Sequence, residues 1–273
     1  YPVVDGSRGM SEDDDTVEQD RSRATSGHGT DPLRSIRLMW EPPSHEARGR
    51  KPRLSLSQII DAGITLADRS GVDALSMRNV AASLGAGTMS LYTYISSKAE
   101  LLELMVDRVH AEMTLTEPGA GWREQVIDLA QQFWRLYHRH PWMLQSNLQR
   151  QSLGPNVIDV AEGLFVVLEK AGLDPAARAH SASLLSHYIQ GAARNSILEI
   201  QSVETTGMSM EEYYSARADF WETYFDVQRF PAHTAIWEAG GFDDQTDPFV
   251  FGLERILDGL EALPAAAAGQ RTS

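Results

Sequence analysis

The residues best suited to chemistry in this sequence are five polar or large side chains around Leu91 and Ile95. Leu91 and Ile95 are four residues apart, so on a helix they share one face and pack against a core. The side chains left facing outward are Thr88, Met89, Ser90, Thr93 and Tyr94. Hydroxyl groups can hydrogen-bond base edges or phosphates, and a methionine can contact the methyl group of thymine. A short helix gains no stability by exposing Met and Tyr, so the pattern predicts a helix that reads base pairs in the major groove of DNA.

Two basic residues stand at the predicted starts of helices on either side of this reading helix. Lys98 occupies the first position of its helix and Arg78 lies in the first turn of another, which Ser76 caps. A cation at that end opposes the helix dipole and costs up to about 1 kcal/mol. A phosphate in front of both helix starts would reconcile the charges, and the free backbone amides would add to its binding. We therefore predict Ser76, Arg78 and Lys98 as DNA contacts, with exposure of the two cations to solvent as the alternative.

A short basic segment precedes the first predicted helix. It carries four positive charges in six residues: Arg48, Arg50, Lys51 and Arg53. Basic arms of this kind can follow a DNA groove. The alternative interpretation is a solvated linker.

The charge distribution favours the same region for DNA binding. The chain of 273 residues has a net charge of −14, yet residues 48–116 carry 8 basic and 7 acidic groups. This segment has no excess of negative charge, unlike the segments before and after it. The absence of cysteine excludes disulfides, thiolate zinc sites and cysteine nucleophiles. No phosphate loop or nucleophile elbow points to an enzyme, and we predict neither a metal nor a cofactor. No apolar run is long enough to span a membrane and the acidic N-terminus lacks a signal sequence, so we expect no membrane partner and a cytoplasmic location.

The elements that must position these residues are helices throughout. Ser57 is a candidate cap for a first helix that ends at Gly71, and Ser76 caps a second helix that ends at Gly85. Gly85-Ala86-Gly87 forms a tight turn before a third helix over residues 88–95. Ser97 with Glu100 is typical of a capping box, which opens a long helix to about residue 113. The second and third helices with their turn are a helix-turn-helix.

Beyond Gly121 the sequence predicts five more helices, at about 122–139, 156–171, 175–203, 209–228 and 247–262. The expected organisation is an acidic disordered extension (1–47), a three-helix DNA-binding domain with its arm (48–113), a larger α-helical ligand-binding and dimerisation domain (114–263) and a disordered tail (264–273). The long helix after Lys98 joins the two domains. Within the extension, only the segment from Leu33 to Trp40 has apolar character, and weak docking is the alternative to disorder there.

Three segments carry a family resemblance. The stretches from Gly71 to Ala81 and from Leu84 to Leu102 resemble the helix-turn-helix of the tetracycline-repressor (TetR) family, and the region from Trp122 to Asn156 resembles the C-terminal domain of actinobacterial members. The resemblance implies a homodimeric repressor that a small molecule releases from a palindromic or pseudo-palindromic DNA operator. It places the five outward residues of the third helix at base-reading positions, and Tyr92 and Lys98 at contacts to the DNA backbone. The family more often has histidine at position 94 and phenylalanine at position 95, and Tyr92 has the alternative of a packing tyrosine.

The larger domain is rich in aromatic residues, most of which must belong to its core. A pocket between helices would use some of them for a largely apolar or aromatic effector. Our candidate ligand-binding residues are Trp134, Tyr137, His138, Trp142, Phe165, His187, Tyr188 and Trp221. Apolar stripes on the helices 175–203 and 247–262 predict a four-helix bundle between two subunits, formed by Leu185, Ile189, Phe249, Leu253, Leu257 and Leu260. An α-helical adaptor whose helix-turn-helix serves packing only, or a small-molecule-binding enzyme, are the alternatives.

Overall fold

The structure, a computed structural model, describes residues 31, 33–41, 54–114, 120–145 and 152–263, except the side chain of Glu211. Helices dominate these ranges, as predicted. In chain order they are α1 (Arg34–Trp40), α2 (Leu56–Ala74), α3 (Met77–Ser83), α4 (Thr88–Tyr92), α5 (Lys98–His110), α6 (Trp122–Arg139), α7 (Trp142–Gln145), α8 (Pro155–Lys170), α9 (Pro175–Thr206), α10 (Met210–Ser215), α11 (Ala218–Thr223), α12 (Pro231–Glu238) and α13 (Pro248–Glu261). Within the described ranges, no helix combines the length and apolarity needed to cross a bilayer.

Local capping signals set the helix-turn-helix. Ser76 caps α3 by accepting a hydrogen bond from the backbone N–H of Asn79 at 3.1 Å, as predicted. Gly85 has φ 62°, a left-handed conformation that glycine adopts without strain, and it turns the chain from α3 toward α4. α4 ends at Tyr92, three residues earlier than predicted. The helix-turn-helix is therefore present, with a reading helix of little more than one turn.

The flanking helices differ from prediction in their caps. The N-cap of α2 is Ser55, which forms a capping box with Gln58, and not the predicted Ser57. Gly71 (φ 76°, ψ 167°) leaves helical geometry where the end of this helix was predicted, although a short helical piece continues to Ala74. Ser97 caps α5 by accepting from the backbone N–H of Glu100. The Glu100 carboxylate does not complete the predicted box, because it accepts from the backbone and hydroxyl of Ser96 instead.

The helices α2, α3, α4 and α5 share a first apolar core. Leu91 and Ile95 are fully buried in it, as their spacing predicted, together with Ile59, Val80 and Met105. Fixing both residues on one side orients the opposite face of α4 outward.

α1 lies on this core, although the sequence predicted disorder over residues 1–47. Leu38 and Met39 pack against the core and Ser35 is buried. The prediction is wrong for this helix because tertiary packing, rather than its own composition, stabilises a seven-residue helix. Residues 1–30, 42–53 and 264–273 lie outside the described residues, so the disorder and the basic arm predicted there stay predictions.

A second apolar core joins α6, α8, α9 and α13. It contains all six residues that we predicted at the subunit interface: Leu185, Ile189, Phe249, Leu253, Leu257 and Leu260. None of the six is more than 7% exposed within the single chain. These six residues are therefore wrongly placed at the interface, because the apolar stripes of α9 and α13 pack against their own protomer. That these two helices form a bundle between subunits stays a prediction.

The segment between α9 and α13, residues 207–247, is named here the aromatic arm. The helix predicted over 209–228 is two short helices, α10 and α11, and α12 follows them. None of the arm's described side chains is buried, and Tyr224 and Trp237 are 74% and 70% exposed. The arm thus contributes nothing to the core of its own chain.

Candidate nucleic-acid interface and effector site

The outward face of α4 is exposed as the reading-helix prediction requires. Met89 is 77% exposed, Ser90, Tyr92 and Thr93 are also exposed, and Thr88 is partly buried. The Thr93 hydroxyl donates to the backbone carbonyl of Ser90 at 2.7 Å, and its oxygen keeps the capacity to accept a hydrogen bond. Three of the five predicted base-reading side chains, Met89, Ser90 and Thr93, are therefore exposed, and Thr88 is partly so.

Tyr94 does not share that surface. It is partly buried against the first core, and its hydroxyl donates to the backbone carbonyl of Leu54 at 2.8 Å. Its own carbonyl accepts from the Arg34 guanidinium at 3.1 Å. The prediction of an outward Tyr94 assumed a helix through residue 95, whereas α4 ends before it and the ring turns inward.

The predicted phosphate contacts lie at the starts of α3 and α5. Arg78 is exposed at the start of α3. The Lys98 ammonium donates to the backbone carbonyl of Val72 at 2.8 Å, near the end of α2. Because an ammonium has three N–H donors, this contact leaves two for a phosphate. The four basic residues of the predicted arm, 48–53, lie outside the described residues.

Asp107 of α5 connects the DNA-reading part to the C-terminal helices. Its buried carboxylate accepts from the backbone N–H groups of Asn156 and Val157, at 2.9 and 3.1 Å, and from the Asn156 side-chain amide at 2.8 Å. An anion at a helix start satisfies free amides and favours the helix dipole. Gly154 permits the approach, since a Cβ there would overlap the carboxylate. α5 thus caps α8 from another part of the chain.

His140 forms a second connection. Its Nδ1 lies 2.7 Å from Asp68 of α2, and its Nε2 lies 3.1 Å from Glu112, just beyond α5. The indole N–H of Trp142 donates to the same Asp68 oxygen at 2.7 Å. His140 and Trp142 are almost fully buried, so the turn after α6 is fixed to both α2 and the end of α5.

An aromatic group lies where α6, α9 and α13 meet. The Trp134 ring stacks on Phe249 with centroids 4.4 Å apart and lies 4.5 Å from the His138 ring. The Tyr188 ring also stacks on Phe249, with centroids 5.9 Å apart, and its hydroxyl donates to the Phe249 carbonyl at 2.8 Å. His138 is held by the carbonyl of Trp134 at 2.8 Å and the Ser196 hydroxyl at 3.1 Å. The structure therefore brings three of the predicted ligand-binding residues together.

Tyr137 lies one position from His138 and is 7% exposed. Its ring stacks on Phe133 at 5.9 Å, and burial raises the pKa of its phenol well above the usual value. Its hydroxyl has no hydrogen-bond partner within the described residues, and it is not one of the fully buried unpaired atoms there. The second core thus contains a neutral donor with unused capacity.

Comparison with known proteins identifies the chain's relatives. The family model described as "Tetracyclin repressor-like, C-terminal domain" matches residues 115–263, and that described as "Bacterial regulatory proteins, tetR family" matches residues 59–105. The chain is 38% identical over 251 residues to the HTH-type transcriptional repressor DrrR1 of Streptomyces coeruleorubidus, covering 91% of this chain and 92% of that protein. The chain belongs to the tetR family of bacterial regulatory proteins.

Two further relatives agree with this assignment. An HTH-type transcriptional regulator of Saccharopolyspora erythraea is 31% identical and covers 82% of this chain and 93% of its own length. The crystal structure of ActR from Streptomyces coelicolor in complex with actinorhodin superposes with a TM-score of 0.66 at 28% identity, covering 77% of this chain and 96% of ActR. The predicted class, a DNA-binding transcriptional regulator with a helix-turn-helix and a helical C-terminal domain, is confirmed.

In this TetR-family regulator four predicted ligand-binding residues lie away from the aromatic group. Trp142 belongs to the first core, because the indole is directed at Asp68. Phe165 and His187 are exposed, on α8 and α9. Trp221 packs within the aromatic arm, 5.1 Å from Phe220 and 5.2 Å from Phe225. Trp142 is therefore corrected to a structural role, and the other three stay outside the group formed in one chain.

His110, at the end of α5, was not among the predicted site residues. Burial lowers the pKa of its imidazole, and Nδ1 donates to the backbone carbonyl of Val106 at 2.7 Å. The ring meets Phe133 edge to face at 6.0 Å. Phe133 packs against both cores and also stacks on Tyr137. His110 and Phe133 follow no recognisable spacing in the sequence, so no sequence pattern predicted these ring contacts.

Proposed function

We propose that the chain is a homodimeric repressor that releases its operator when a largely apolar or aromatic effector binds among α6, α9 and α13. The observation that supports operator binding is the exposed face of α4, which the buried side chains of Leu91 and Ile95 orient outward. Regulation proceeds by binding alone, without catalysis. The site of action is the cytoplasm, because operator DNA lies there.

The operator contacts divide by chemistry. Thr88, Met89, Ser90 and Thr93 read base edges, while Arg78, Tyr92 and Lys98 contact phosphates. Ser76 acts through the helix start that it caps, and the basic segment 48–53 adds charge. One turn of helix reads few base pairs, so two copies and a palindromic or pseudo-palindromic operator supply the required specificity.

The effector site uses Tyr137 as donor and Trp134 with Tyr188 as aromatic surfaces. The Tyr137 hydroxyl has no hydrogen-bond partner among the described residues, so it can donate to an acceptor on a ligand without breaking an existing bond. Aromatic rings favour stacked or edge-to-face neighbours. ActR, a relative at 28% identity, was crystallised with actinorhodin, and this compound is therefore the first effector to test.

The subunit interface lies on exposed faces rather than on the buried stripes. α9 exposes Leu184 and Leu198, and α13 exposes Phe251, at 47%, 55% and 54%. Gly191 of α9 and Gly259 of α13 have open space around them, which allows another backbone to approach closely. The aromatic arm continues from this face, so a second copy of the chain would cover it as well.

Selection from random DNA followed by an effector titration tests the function. The full chain is incubated with a pool of random duplexes, and the enriched sequence, called here the selected duplex, is titrated in the absence and presence of actinorhodin. We expect an inverted repeat to be enriched and actinorhodin to lower its affinity. Tyr137→Phe should keep the affinity for the duplex and reduce the response to actinorhodin, whereas Phe165→Leu serves as a control outside the aromatic group. Failure to enrich any duplex would refute DNA reading.

A further inference from the structure

α1 contacts the reading helix at its exit. Arg34 donates from its terminal nitrogen to the carbonyl of Tyr94 at 3.1 Å. Its Nε lies 3.0 Å from Oε1 of Glu100, whose side chain is 6% exposed. Since Oε1 of Glu100 has no hydrogen bond of good geometry, the guanidinium is the charge that compensates this buried carboxylate.

The other end of α1 contacts the C-terminal helices. The indole N–H of Trp40 donates to the carbonyl of Leu153 at 2.8 Å, and the Ser152 hydroxyl lies 3.6 Å from the Met39 sulfur. Leu153 precedes the start of α8 that Asp107 caps. A seven-residue helix therefore spans from the end of the reading helix to the start of α8.

From these contacts we infer that α1 is a strap that positions the reading helix relative to the C-terminal domain. Arg34 is a positioning residue for operator reading, and Trp40 anchors the strap. α4 has five residues and no side-chain cap, so its own hydrogen bonds cannot fix its orientation. Arg34 binds the carbonyl of Tyr94, two residues after α4. Trp40 binds the carbonyl of Leu153, just before α8, so α1 links the start of α8 to the end of the reading helix. The inference rests on the proposed DNA-reading role of α4.

A simple apolar cover is the competing role for α1. Leu38 and Met39 do pack on the first core, and these two contacts are all that a cover would need. The two roles differ at Arg34, because a cover does not require a polar contact to Tyr94.

Hydrogen exchange in the free protein separates the two roles. We expect Arg34→Ala to speed amide exchange across residues 88–96 at least severalfold. Trp40→Phe, which removes the N–H donor together with part of the ring, should do so by a smaller factor. Arg37→Ala removes the same charge from the same helix, where Arg37 pairs with Asp31, and should leave the exchange unchanged. Exchange in Arg34→Ala equal to that in Arg37→Ala would overturn the strap, whatever the DNA results.

DNA titration supplies the functional readout. Affinities are measured for the selected duplex and for a scrambled duplex at one salt concentration. Arg34→Ala should lose about tenfold for the selected duplex, the size of one good base contact, while its affinity for the scrambled duplex matches that of Arg37→Ala. An unchanged ratio between the two duplexes refutes the positioning role. If the parent enriches no duplex, the proposed DNA reading fails, and hydrogen exchange still decides whether α1 fixes α4.

Discussion

Replacing Asp107 by Ala tests how strongly α5 is joined to α8. The change removes one carboxylate that accepts three hydrogen bonds, two of them from the first backbone N–H groups of α8. The carboxylate is 5% exposed, so water cannot replace it without a rearrangement.

The expected loss follows from these contacts. Hydrogen bonds to a charged acceptor contribute about 1.5–3 kcal/mol each, but truncation also removes the desolvation cost of the buried anion. We therefore expect Asp107→Ala to lower the free energy of unfolding by about 3 kcal/mol, less than the sum of three bonds. Asp107→Asn should lose about 1 kcal/mol, because the Asn156 amide can rotate to offer its oxygen to the new amide.

Asp174 provides the matched control. It caps α9 through one hydrogen bond to the backbone N–H of Ala177 at 2.8 Å and is exposed. Asp174→Ala should cost about 1 kcal/mol, the usual value for a lost cap. Urea unfolding followed by circular dichroism measures both variants under one set of conditions. A loss for Asp107→Ala no greater than that for Asp174→Ala would refute the view that burial and the three donors make this junction strong.

Three further predictions follow from the described contacts. Lys98→Ala should weaken binding to every duplex alike and reduce the salt slope by about one unit; a loss confined to the selected duplex would assign Lys98 to base reading. Leu198→Glu should dissociate the dimer and leave the helices intact, whereas Leu253→Glu should unfold the second core; light scattering and circular dichroism distinguish the two results, and a folded Leu253→Glu monomer would restore the original interface prediction. Burial lowers the pKa of His110 in the folded state. As the pH falls below about 6.5, the unfolded chain therefore binds a proton before the folded chain does. The free energy of unfolding then falls by up to about 1.4 kcal/mol per pH unit until the pH reaches the folded-state pKa. His110→Asn should therefore flatten the decline of unfolding free energy between about pH 7.5 and pH 5.5, and an unchanged decline would contradict the assignment.

The sequence predicted those features that neighbouring residues determine. Ser76 as a cap, Gly85 as the end of α3 and the buried pair Leu91 and Ile95 all depend on residues within a few positions. Tyr94 was misplaced because helical periodicity was extended past the end of α4. A single turn that stops early changes the direction of every side chain after it.

The partner of an apolar stripe was beyond the reach of the sequence. Leu253 and Leu257 show the same spacing whether α13 packs within a chain or between chains, so periodicity identifies a buried face without identifying what buries it. Asp107 and Arg34 bring together residues about 50 and 60 positions apart. Contacts at that separation depend on the tertiary fold, and nothing in the local sequence distinguishes these charged residues from solvated ones.

The position of Phe133 gives the proposed effector site a route to the DNA-reading helices. Its ring contacts both the Tyr137 ring and the ring of His110, at the end of α5. An effector changes operator affinity only to the extent that it binds one arrangement of the two domains better than the other. A ligand that hydrogen-bonds Tyr137 and moves its ring therefore shifts Phe133 against α5. The carboxylate of Asp107 and the imidazole of His140 resist any movement of α5 alone, because they join it and its C-terminal extension to α8 and to α2. On the proposed mechanism the reading helix moves with α5 and α2 as one body, and two such bodies in a dimer would change the spacing that a palindromic operator requires.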